Sequence, residues 1–468
     1  MNGGARIGLV VALLAGLAGL GQATAGTGPQ ALRPQQAAVV GASVVCPDAA
    51  DTIAAGAVGS GPGSLTTRRL DGPPSTQPIT SAGAVVVGTG RGGPLVLAAR
   101  GAVAAGLAVE QLTGTPDGLT GLRCGSPSTS TWFVGGATTV GNATELVLVN
   151  ADDRSALVEV IVWSATGPAD RRPGRGIVVP ASSHLRLPMD SLAPDRGLLA
   201  LHVQASRGRV AAALVHVRLD GRTPLGTDWV PPTGPPAREV VVPGLPAGSG
   251  RRVVVVTNPG PDDAVVSIEL ATGDGRLVPP GLAAVPVPAG TSVGRDVSAQ
   301  LAQTPAAVRV VSDGPPVLAA GFVDDVLAAP VRELAWAGAV GPLRTPALLP
   351  AVSLSPRTEV TLLLTAFGAD AVVEVVPVPM LGGTDPLPAI KRVEVPAGTT
   401  AALRLTSLLP AGATARLAFQ VRPVTGVVHA ARHVRELGLG TTILPVRAAA
   451  PTVPRPAVSA DPLVGSGR

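Results

Sequence analysis

The chain has 468 residues, 46% of them apolar and 14% charged, with a formal net charge of +5. That length exceeds what one hydrophobic core organises and suggests about three or four domains, and the apolar content argues against a mostly disordered chain. The small basic excess is scattered and almost all arginine; with no Tyr, four Phe and four Trp it argues against a nucleic-acid partner, which needs gathered cations and stacking aromatics.

Pro (48) and Gly (59) are too frequent for long helices, since Pro removes a backbone donor and Gly costs entropy. At the N-terminus, Arg6 precedes an apolar stretch over residues 7–20 and then Ala23-Thr24-Ala25. That order predicts a secretory signal over residues 1–25 and an extracytoplasmic location. The stretch is shorter than the roughly 20 residues a membrane span needs, so the membrane enters only through this signal or a short uncleaved anchor. Cys46 and Cys124 are the only cysteines. In an exported chain they fit one disulfide, the alternative being two separate buried thiols.

From residue 37 onward the chain repeats itself about every 90 to 100 residues. Four segments, 95–110, 201–218, 308–324 and 419–435, each carry a Gly-containing turn before a strand of Val, Leu and Ala, which reads as a hairpin. Upstream, Pro180-Ala181-Ser182, Pro288-Ala289-Gly290 and Pro396-Ala397-Gly398 each end one strand and turn the chain into the next. Leu185-Arg186-Leu187 and Leu403-Arg404-Leu405 then alternate as half-buried strands do. Asn150-Ala151-Asp152-Asp153 and Asn258-Pro259-Gly260-Pro261-Asp262-Asp263 sit where a further hairpin turn is wanted.

About six or seven short strands per repeat predict an all-β chain of tandem immunoglobulin-like antiparallel β-sandwich units. The units fall at 37–125 (short, disulfide-linked), 130–225, 238–328 and 345–440, with an extended or disordered tail over 447–468. Pro-rich joints such as 229–236 read as stiff spacers, giving a rod.

No motif survives its context as catalytic. Gly290-Thr291-Ser292-Val293-Gly294 matches a nucleophile elbow, yet it coincides with the repeated turn and precedes a strand. Gly88-Thr89-Gly90-Arg91-Gly92-Gly93 matches a dinucleotide fingerprint by spacing, with a strand after it where a helix is needed. Of the five histidines, His184, His202, His216, His429 and His433, the last two stand roughly 13 Å apart on one strand and cannot share a metal. His216-Val217-Arg218 and His433-Val434-Arg435 read as equivalent and outward-facing. Of the pairs Asp152-Asp153, Asp262-Asp263 and Asp324-Asp325, the first two lie in turns, so turn chemistry is favoured over calcium, and Asn142-Ala143-Thr144 is a glycosylation sequon by letter. Trp132, Trp163, Trp229 and Trp336 read as core plugs, or alternatively as an exposed sugar-stacking face. No catalytic, cofactor-binding or metal-ligating residues are assigned, no cofactor is implied, and an enzyme is not expected.

Four phrases resemble the actinobacterial secreted proteins of the domain of unknown function 5719 family. They are Gly121-Leu122-Arg123-Cys124 leading to Trp132-Phe133-Val134-Gly135; residues 173–180; residues 208–213; and Asp228-Trp229-Val230-Pro231. The resemblance covers about residues 40–330, leaving the fourth unit to the internal repeat. It implies work in the cell envelope, with a membrane glycosyltransferase or envelope polysaccharide as partner. The expectation is a non-catalytic scaffold or accessory protein of polysaccharide assembly; the alternative is a carbohydrate-binding or adhesive module using exposed Trp.

Overall fold

The computed structural model describes residues 35–455 apart from 49, 60, 80–82, 91–92, 116–117, 302–303, 327–331 and 451. The predicted signal and the tail beyond 455 lie outside the described residues. Two compact units separate. In the small one, strand Gln35–Ala38 pairs antiparallel with Thr452–Arg455, part of the Pro-rich tail. The other, 39–451, holds everything that follows.

The chain is all-β, built of tandem antiparallel immunoglobulin-like sandwiches, each with two sheets. Their strands span 41–123, 130–233, 239–338 and 347–446. In each, one sheet carries an opening strand: Gly41–Cys46, Ser130–Val134, Glu239–Leu245 or Ala347–Leu354. The other, the inner sheet, ends in a closing strand: Gly118–Arg123, Thr223–Val230, Arg332–Gly338 or Gly440–Val446.

The turns read as hairpins prove to be arches between sheets. Ala200–Arg207 and Ala211–Asp220 lie in opposite sheets of the second sandwich, as do Ala306–Ser312 and Leu318–Val326 in the third and Ala415–Thr425 and His429–Glu436 in the fourth. The Asn-led turns cross between sheets as well. Asn150 donates its amide to the carbonyls of Arg154, Val179 and Pro180 while its Oδ1 accepts from Asp152 N–H. Asn258 repeats this with Asp262, Val287 and Gly260 N–H. The Pro-led turns share another lock, in which Ser183, Thr291 and Thr399 hydroxyls donate to the carbonyls of Pro180, Pro288 and Pro396. Gly and Asn give a chain reversal without specifying which sheet receives the next strand, so turn chemistry alone could not tell an arch from a hairpin.

The expected rod is also overturned. Residues 223–230 form the second sandwich's closing strand and Pro232–Thr233 a bridge to its opening strand, so the 229–236 segment is not a spacer. Each inner sheet has its own core on one face and the preceding sandwich's opening strand on the other. Val147, Val149, Ala211, Ala213 and Trp229 pack on Val45 and Val96 of the first sandwich. The third sandwich's Val253, Val255 and Trp336 join the cluster containing Phe133, and the fourth's Ala431 and Ile443 join that of Val242 and Leu245. Finally the first sandwich's Ala54 and Ala108 pack on Leu348 and Ala351 of the fourth, which closes a ring. Double burial explains why these strands read as runs of Val and Leu instead of alternating: Leu146, Val147, Leu148 and Val149 are all wholly buried.

Cys46 and Cys124 are bonded, with Cα atoms 4.7 Å apart. The bond ties the first sandwich's opening strand to the end of its closing strand, stapling its two sheets. It closes a loop spanning 78 residues. Replacing both cysteines by alanine is expected to cost up to about 4 kcal/mol, read as a lower urea midpoint. Thiol titration of the denatured, unreduced protein should find no free thiol.

Candidate functional site

The four closing strands pack against one another in a cycle: first on second, second on third, third on fourth and fourth on first. At their meeting line sits Asp228, which is fully buried. Its carboxylate accepts from Gly121 N–H of the first sandwich at 3.3 Å, Trp336 N–H of the third at 3.3 Å and the Thr442 hydroxyl of the fourth at 2.9 Å. A fourth bond comes from the backbone of Trp229 in its own strand. One carboxylate is thus held by all four sandwiches, and four donors fill its accepting capacity. Burial pushes Asp228 well above the ordinary carboxylate range, against the pull of those hydrogen bonds.

Glu333, on the third closing strand, occupies the same line and is 2% exposed. The room for it comes from the other sandwiches. A side chain at Gly440, whose φ is +134°, would meet the Glu333 carboxyl at 2.2 Å, and one at Gly118 would meet it at 3.0 Å. Burial, and then the charge of Asp228, raise Glu333 to about 8, while a hydrogen bond from the Thr441 backbone pulls the other way. Its Oε2 has no hydrogen-bond partner among the described residues. A raised folded pKa means the folded state holds its proton where the unfolded chain has lost it, so stability from this group is complete below the unfolded value and drains away as pH rises. The difference in unfolding free energy between wild type and Glu333→Gln should therefore fall from about pH 5 and flatten above about 8, a trend that denaturant melts across pH would read directly.

Around this line, charged and ring side chains join neighbouring sandwiches. Arg218 of the second pairs with Asp324 of the third at 2.5 Å. Glu110 of the first pairs with Arg432 of the fourth at 2.6 Å and with Arg123 at 3.3 Å. Trp336 of the third donates its indole N–H to His216 Nδ1 at 3.3 Å. That fixes the His216 proton on Nε2, which lies 3.1 Å from Asn142 Oδ1. Burial lowers His216 to about 3 and His433 to about 4, so both are neutral, and their contribution to stability is lost as pH falls below the ordinary imidazole value.

The expectation that both His-Val-Arg phrases face outward fails, because His216 and His433 are buried. Nor are they equivalent. Counting from Val210, Val317 and Val428, each bridged at the start of its strand, His216 is level with Val323 and Val434, and His433 with Val215 and Phe322. A one-residue slip turns a side chain to the opposite face. His184 is exposed, His202 stacks on Trp132 at 3.8 Å, and His429 lies 3.1 Å from the Val340 carbonyl.

Ser292 opens a strand at 2% exposure, its hydroxyl on that of Thr257 at 2.8 Å; Thr400 and Thr365 repeat the pair in the fourth sandwich. Strand Leu95–Gly101 follows the Gly88–Gly93 motif, part of which lies outside the described residues. Asp324 and Asp325 are buried in a strand, on Arg218 and Arg252 respectively, while Asp152 holds Arg209. Among the described residues no three His, Cys, Asp or Glu side chains gather as a metal site. Trp163, Trp229 and Trp336 are buried, and half-buried Trp132 is stacked on His202 and Trp163.

Asp228, Glu333, Glu110 and Arg432 were missed as site residues. One signal was available: Asp228-Trp229 lies among the family-like phrases, and Ala335-Trp336 sits level with it in the next repeat.

No curated protein matches the chain. Among solved structures, the crystal structure of a tetra-tandem repeat in the extending region of a large adhesion protein aligns over 89% of this chain and 100% of that one. Its identity is 12% and its TM-score 0.10, a likeness that carries no argument. A family model matches residues 75–406, reaching into the fourth sandwich beyond the span of the resemblance read from the sequence. The chain belongs to the family of unknown function DUF5719.

Proposed function

We propose that the protein is an exported, non-catalytic component of the cell envelope, a rigid platform or accessory partner in envelope polysaccharide assembly. The observation that carries this reading is the buried hub, where Asp228, Glu333, Glu110, Arg432 and His216 are engaged in joining sandwiches. A molecule that commits its charged groups to mutual alignment of four sandwiches offers fixed outer faces to a partner. The disulfide favours an oxidising compartment outside the cytoplasm.

The partner is a membrane glycosyltransferase or the polymer it makes. The test is crosslinking of the tagged protein in its own membranes, followed by purification and identification of what is bound. An envelope-polysaccharide enzyme or polymer recovered with the disulfide intact is the expected result. Recovery from the cytoplasm with two free thiols would refute export, and recovery without any envelope partner would refute the platform.

A further inference from the structure

The first and fourth sandwiches meet at a cleft of about 380 Å³, within the roughly 300–1,000 Å³ range of small-molecule sites. Its floor is apolar, from Leu119, Val352, Val360 and Val434, all belonging to the fourth sandwich's core cluster. Its polar lining is largely hydroxyl, from Thr52, Thr113, Ser353 and Thr358. Arg432 also lines it, buried but for the little of its side chain that faces the cleft.

Among the described residues, charge around Arg432 does not balance. Glu110, 3% exposed, is shared between Arg432 and Arg123, whose side chains are 1% and 14% exposed. One carboxylate therefore faces two guanidiniums, one wholly and one partly buried. Arg447, partly buried, is close enough for its charge and that of Arg123 to repel, and burial chiefly lowers both below the guanidinium range. Arg432 gives one N–H to the Ala351 carbonyl at 2.9 Å and another to Glu110, but its Nε has no partner among the described residues. An unpartnered buried donor destabilises, and an uncompensated buried charge does so more. Also in the lining, Arg416 and Glu436 carry opposite charges and, among the described residues, leave the excess positive charge unanswered.

We propose that this cleft binds a small anion carried on a hydroxylated body, a sugar bearing a carboxylate or phosphate. The anionic group answers the excess charge at Arg432, hydroxyls meet the Thr and Ser lining, and the C–H faces of the ring rest on the Val and Leu floor. The inference stands on the charge count and the cleft, independently of the platform reading, which partner recovery alone decides.

Calorimetric titration of the intact protein with glucuronate, glucose 1-phosphate and glucose tests it. At least one charged probe should bind about 10-fold or more tighter than glucose, a difference of about 1.4 kcal/mol. Ser353→Trp fills the cleft from an exposed position without touching the ion pairs, and should weaken that binding about 10-fold or more with the melting temperature unchanged. Arg416→Ala should weaken it less. No heat with any probe, equal affinity for glucose, or a Ser353→Trp variant that binds as wild type would each overturn the proposal.

Discussion

Asp228→Ala is expected to cost at least about 3–5 kcal/mol and to loosen all four sandwiches together. The substitution removes one residue's carboxylate but orphans Gly121 N–H, Trp336 N–H, the Thr442 hydroxyl and the Trp229 backbone donor. Each lost partner costs about 1–3 kcal/mol, and because all four share one acceptor the losses do not simply add. Asp228→Asn should cost less, since the amide keeps one accepting oxygen and relieves the burial of charge. Urea unfolding gives the magnitude. Hydrogen exchange gives the reach: amides of all four closing strands should lose protection in Asp228→Ala. Loss confined to Thr223–Val230 would mean that Asp228 serves its own sandwich only.

Glu110→Gln is expected to destabilise by about 3–5 kcal/mol, the cost of leaving a buried charge unpaired. The amide matches the carboxylate in shape and removes the charge shared by Arg432 and Arg123, leaving buried Arg432 and partly buried Arg123 without it. The double variant Glu110→Met with Arg432→Met should recover much of the loss, since a buried pair replaced by apolar groups of similar volume is often near neutral. By contrast, Glu159→Gln, which unpairs the exposed Arg175, should stay within about 1 kcal/mol. If Glu110→Gln proved as mild as Glu159→Gln, the first and fourth sandwiches would not depend on this pair.

The strands and the sandwich class were legible because Val runs, Pro-led turns and the repeat all point to antiparallel sheets, and the Asn150 and Asn258 locks show why those turns recur. What was not legible was the meeting of distant parts. Nothing local distinguishes an arch from a hairpin when both need Gly at the reversal, so the crossings before Ala211 and Leu318 were read in one sheet. The buried runs at 146–149 and 253–256 did hold the clue to ring closure, because a strand apolar on both sides must be covered on both. Charged site residues were harder still. Asp228, Glu110 and Arg432 stand among apolar neighbours as single letters, and only the fold gives each its distant partners. The His-Val-Arg phrases misled because matching letters were one residue out of step.

Ring closure sets the order in which this molecule can be made. Glu110 meets its partner Arg432 across 322 residues of chain, and the first sandwich's closing strand stays uncovered on its fourth-sandwich side until Gly440–Val446 has been synthesised. Contacts of such long range come late and slowly, since loop closure precedes their reward. A newly made chain would carry its first sandwich stapled by Cys46–Cys124 yet with Ala54 and Ala108 open to water until the fourth sandwich forms, and with the Glu110 carboxylate unpaired with Arg432 until that residue arrives. The disulfide lies in the one sandwich that must wait longest for its neighbour.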